Sequence, residues 1–69
     1  MLKEGQKVRV KKNLKVDIFY GGGRFHNGMS QYKGKTGEVL GVRLYDGLKY
    51  AISVENEGYD WTEEMLEIV

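Results

Sequence analysis

The stretch KGKTGEVLGVRLYDGLKYAISVENEGYDW, residues 33–61, decides the fold. From Thr36 onward Val39, Leu40, Val42 and Leu44 supply the β-branched and aliphatic side chains of a strand, and Gly41 in their midst predicts a bulge or a sharp bend. Asp46-Gly47 follows. That pair is the strongest short-range hairpin signal, because both central residues of a type I′ turn need positive φ. KYAISV is then a returning strand in which Tyr50, Ile52 and Val54 alternate with smaller residues and face the core. Residues 55–58 make a second turn, after which Tyr59 and Trp61 share one face of a further short strand.

Upstream, residues 7–11 read KVRVK, alternating charge and valine at period two. This is a half-buried strand with Val8 and Val10 inward. Between the two strand regions, residues 15–32 lose that period but carry an aromatic every few positions, and Tyr20, Phe25, Met29 and Tyr32 are the side chains expected to pin a long ordered loop. Downstream, two overlapping helix starts compete, Asp60 with Glu63 behind it and Thr62 with Glu63 and Glu64 behind it. Thr62 is the better cap. Only a single 3₁₀ turn fits before LEIV resumes a strand. The resulting order predicts one all-β domain over residues 1–69: a five-stranded SH3-like barrel with a long first loop and one short 3₁₀ turn before the last strand.

Composition constrains what such a domain can do. A chain of 69 residues buries barely enough apolar area to stay folded alone, so most of its eight aromatics belong in a core or an interface. Trp61 is assigned to the core. No cysteine is present, which removes disulfides and thiolate metal sites and makes a reducing cytoplasm the expected compartment. Neither a long apolar run nor a leader-like start is seen, so no membrane partner is expected. Net charge is only +1, yet residues 1–37 sum to +7 and the remainder to −6. Such asymmetry marks either a basic face for an anionic partner or, more simply, a basic first strand neutralised by an acidic last one.

The motif FYGGGRFHNG, residues 19–28, raises the question of a phosphate cradle beside Arg24. A cradle needs amides aimed at one point, commonly ahead of a helix N-terminus, and nothing after Arg24 reads as helical before residues 27–32. The glycines are better read as a loop that folds back with positive φ while Phe19 and Phe25 plug its ends. His26 is the only histidine and lacks ligand companions, so no metal and no cofactor is expected. Glu63 and Glu64 suit the first turn of a helix better than acid/base work, and no nucleophile and base stand out, which argues against an enzyme.

The spacing Phe19-Tyr20-Gly21-Gly22, Phe25, Met29, Tyr32-x-Gly34-Lys35, a strand ending near Val42, Tyr50-x-Ile52 and Trp61-Thr62-Glu63-Glu64-Met65-Leu66 resembles the small SH3-like proteins of phages and prophages of Gram-positive bacteria. It is also similar to the SH3-like repeat of the mind-bomb ubiquitin ligases, over about residues 7–68. Three glycines and Arg24 stand where that pattern has two glycines and a small or aliphatic residue. The resemblance implies a non-enzymatic phage-type accessory protein that binds a host or phage protein, an inhibitor of a host or defence factor among the roles open to it. Aromatics and arginine concentrate binding energy, which makes Tyr20, Arg24, Phe25 and Tyr45 the candidate contacts. An alternative comes from Gly34-Lys-Thr-Gly37-Glu-Val39, which resembles the G-x-x-G-x-V of KOW-type domains that meet RNA and the ribosomal or transcription machinery. In that reading Lys7, Arg9, Lys11, Lys33 and Lys35 contact phosphates, although the near-neutral total charge speaks against a dedicated nucleic-acid binder. Self-association through an exposed edge strand is also left open.

Overall fold

A computed structural model describes residues 1–44 and 46–69. Six strands form, β1 (Lys7–Val10), β2 (Phe19–Tyr20), β3 (Gly23–Arg24), β4 (Thr36–Leu44), β5 (Leu48–Ile52) and β6 (Leu66–Ile68), with 3₁₀ segments at Asn27–Tyr32 and Glu63–Met65. The protein is all-β. Its strands lie in two sheets, one ordered β5-β4-β1-β6 and the other the β2-β3 ribbon. The strand expected around Tyr59 and Trp61 is reduced to one antiparallel bridge, Tyr50 with Trp61. Among the described residues no helix is long and apolar enough to cross a membrane.

The long strand β4 organises the larger sheet. Its first residues pair with β1, Lys7 opposite Glu38 and Arg9 opposite Thr36, while Val39 to Leu44 run against β5. Pairing slips between Val39 and Gly41, the bulge that Gly41 announces. Asp46 and Gly47 both take positive φ, 51° and 94°, as the hairpin requires. On the far side of β1 lies β6, and Arg9 opposite Glu67 becomes a real ion pair, Nε to Oε1 at 2.7 Å. The basic first strand is therefore partly neutralised by its acidic neighbours.

Alternation along these strands delivers Val8, Val10, Val39, Tyr50, Ile52 and Leu66 to one core. Trp61 sits at its centre with no exposed surface. Phe25 and Tyr32 meet it edge to face, with ring centroids 6.4 Å and 6.3 Å away. The one polar atom of the indole is satisfied as well: Nε1–H donates to Glu55 Oε2 at 2.9 Å. The same carboxylate accepts the backbone N–H of Glu57 and Gly58 through its other oxygen, so it fixes the 55–58 turn and the core tryptophan together.

The long first loop is more regular than its sequence suggests. Tyr20 and Gly23 pair across Gly21 and Gly22, whose φ values of 61° and 85° are those of a type I′ turn. Backbone bonds from Asp17 N to Phe25 O at 2.8 Å and from Phe25 N to Ile18 O at 3.0 Å extend the ribbon beyond its two pairs. The 3₁₀ segment Asn27–Tyr32 then carries Met29 into the core. All four expected pins act, Phe25 and Met29 fully buried, Tyr20 and Tyr32 half-buried against them.

Candidate functional site

Period two on a two-residue strand separates its side chains to opposite faces. In β2 the inward one is Tyr20, whose ring meets Phe25 edge to face at 6.5 Å and whose hydroxyl accepts the Lys15 N–H at 2.8 Å. Phe19 is thereby turned outward and is 68% exposed. The expectation that Phe19 plugs the loop is corrected: Phe25 alone is the plug. Phe25, expected as a partner contact, has 0% exposure and so shapes the surface only from beneath. Arg24 is exposed on the ribbon. Tyr45 lies outside the described residues.

Gly23 explains how the ribbon is seated. A Cβ there would come within 2.7 Å of Thr62 Cγ2, so glycine leaves the room that the Thr62 methyl occupies against the ribbon. Thr62 closes the contact from the other side by donating its hydroxyl to the Tyr20 carbonyl at 2.7 Å. Thr62 does precede the Glu63–Met65 turn as expected, but its hydroxyl is spent on the ribbon rather than on capping that turn. The three glycines thus have structural tasks, two in the turn and one in the seat.

Seating the ribbon leaves a cleft of about 340 Å³ between it, the 46–49 turn and residues 58–60. Phe19, Arg24, His26, Lys49 and Tyr59 line it together with the backbone of Gly22 and Gly23. Arg24 Nη2 donates to His26 Nδ1 at 2.9 Å and its Nε lies 3.8 Å from Asp17 Oδ1, which holds the guanidinium on the rim. The His26 ring stacks on Tyr59 at 6.4 Å. On the opposite side Arg43 pairs with Asp60 at 2.9 Å. Lys49 is the residue that sequence reasoning missed. It sits where alternation predicts an outward lysine, yet it is only 6% exposed, its Cε lying against Gly23 and its ammonium against Gly47. Gly23 lies on the other hairpin, far from Lys49 in sequence, and no local pattern links the two.

The residues of the nucleic-acid reading gather elsewhere. Arg9, Lys11, Lys12 and Asn13 line a second cleft, of about 490 Å³, with Glu67 on its wall. Backbone bonds from Gly34 N to Val10 O and from Val10 N to Lys35 O bring the Lys33 to Lys35 segment alongside. Lys33 Nζ lies 5.7 Å over the Phe25 ring. Lys7 stands at the other end of β1, opposite Glu38. Of the five predicted cations Arg9 and Lys11 share this cleft, and Arg9 is already paired with Glu67.

Among the described residues Tyr32 is the one group whose titration is clearly displaced: burial, then the carboxylates of Glu57 and Glu55, push its hydroxyl above the ordinary value. Among the described residues no group of three or more His, Cys, Asp or Glu side chains is placed to hold a metal ion. Comparison with protein-family models, with curated proteins and with solved structures finds no match to this chain.

Proposed function

We propose that this chain is a non-enzymatic accessory protein of the phage type, built on an SH3-like barrel, that binds a host or phage protein through the cleft beside its Gly-rich ribbon. Inhibition of a host or defence factor is the role we assign to that binding, and the bacterial cytoplasm its place of action. The strand order β5-β4-β1-β6, the shared strand β4 and the 3₁₀ turn ahead of β6 support the SH3-like reading. The observation that carries the functional reading is Phe19. A phenyl ring 68% exposed on an ordered ribbon, next to Arg24 and across a cleft from Tyr59, has the character of an interface anchor. It contributes nothing to the core that holds the domain together.

The test is a tagged capture from a Gram-positive bacterial lysate with wild-type protein, Phe19→Ala and Arg24→Ala, each with and without nuclease. A discrete protein retained after nuclease by the wild type and lost from Phe19→Ala is the expected result. A bound fraction that nuclease abolishes, and that Phe19→Ala leaves intact, would move the function to nucleic acid. One observation favours that second reading, the cleft lined by Arg9, Lys11 and Lys12, and its binding would fall steeply with salt.

A further inference from the structure

We infer that the cleft beside the Gly-rich ribbon is a receptor for a single carboxylate, recognised by Lys49, and that the partner inserts an acidic side chain or a chain terminus there. The inference rests on the reading of this cleft as the protein-binding surface. Lys49 is 6% exposed, and the bond its ammonium makes is to a neutral acceptor, the Asp46 carbonyl. No carboxylate lies within the 4 Å of an ion pair with it among the described residues. An ammonium has three donors, and a buried cation that lacks a counter-ion is costly to the fold unless something supplies the charge.

The cleft wall lets an anion reach it. Gly22 and Gly23 present backbone instead of side chains, and Gly23 lies against the Lys49 stem, a methyl there falling 3.8 Å from Cε. Arg24 adds a second cation at the rim, while Asp46 and Asp60 also line the cleft. That balance favours a singly charged ligand over a dianion, which the two rim carboxylates would repel. Phe19 and Tyr59 flank the entrance and suit the apolar stem of the residue that carries the carboxylate. One ammonium acting as a point charge, flanked by rings, is the chemistry of a carboxylate pocket in a peptide groove.

The experiment compares wild type, Lys49→Met and Lys49→Gln in sodium acetate, sodium phosphate and sodium chloride at matched ionic strength, reading melting temperature and amide chemical shifts. Acetate at about ten times its Kd should raise the wild-type Tm by roughly 6 to 11 °C over chloride, and should move the amides of Gly22, Gly23 and Lys49. Neither variant should show the acetate increment, and both should melt at or above the wild type in chloride, since an uncompensated buried charge has been removed. Equal acetate effects on all three proteins would overturn the proposal. So would a response to phosphate without one to acetate, which would make the site a phosphoryl receptor. Failure of both variants to fold would overturn it too, by showing the ammonium to be a structural member of the 46–49 turn. Loss of captured protein from Phe19→Ala together with no acetate effect sinks this inference and leaves the protein-binding reading standing. An acetate effect with no captured protein does the reverse.

Discussion

The two hairpins of this protein are stabilised in opposite ways. β4 and β5 are nine and five residues long and pair along their shared length, with Asp46 and Gly47 in the turn geometry that their sequence prescribes. β2 and β3 are two residues each, far short of what an isolated hairpin needs in water. The ribbon stands because other parts of the chain grip it: Thr62 bonds the Tyr20 carbonyl, Phe25 is anchored against Trp61, and Gly23 lies flush on Thr62. A locally encoded hairpin serves as scaffold. A hairpin held from outside can present side chains that its own stability does not use.

Trp61→Ala removes the contact on which both hairpins depend. It should cost roughly 3 to 5 kcal/mol and leave much of the population unfolded by denaturant titration at ambient temperature. Gly23→Ala should separate the two regions. The new methyl would meet Thr62 Cγ2 at 2.7 Å, and an overpacking cost of about 1 to 3 kcal/mol should appear first as faster amide exchange in residues 17–25, with β4 and β5 still protected. Uniform loss of protection through both hairpins would show that the ribbon is not separable. Arg24→Ala and Phe19→Ala, both on exposed positions of the ribbon, should leave stability within about 0.5 kcal/mol while changing what the cleft holds. An Arg24→Ala melting curve as damaged as that of Trp61→Ala would erase the distinction between anchor and display.

The smallest effect is invisible at neutral pH. Tyr32 packs on Trp61 and its hydroxyl titrates above the ordinary value of 10.0, so its contribution is complete below about pH 10. As pH rises further the unfolded chain loses that proton first, and stability falls until the folded value is passed. Subtracting the alkaline stability profile of Tyr32→Phe from that of wild type should isolate this decline. A flat difference would mean that the ring packs without the surroundings described here.

What was legible in the sequence follows the same division. The Asp46-Gly47 turn, the Gly41 bulge and the inward Tyr50 and Ile52 depend on neighbours in sequence, and each is where residues 33–61 place it. In sequence the ribbon reads as a loop because glycine carries no strand period, although the alternation of Phe19 and Tyr20 is enough to turn one ring out once pairing is known. Phe19 and Phe25 look equivalent as letters flanking three glycines. Only the seat on Thr62 makes one a plug and the other a surface. Lys49 is hidden for a related reason, since its burial involves contact with Gly23 on the other hairpin, which no local pattern announces.

Arg9 pairs with Thr36 on one side and Glu67 on the other, so the first strand completes its hydrogen bonding only when residues near both the middle and the end of the chain are in place. The kinetic consequence is a transition state that must close loops of some thirty and sixty residues, which places this domain among slow, high-contact-order folders. On the ribosome β4 and β5 can pair early, whereas β1 waits for Leu66–Ile68 to emerge. Until then its valines are uncovered, and a chaperone would meet this protein at Val8 and Val10.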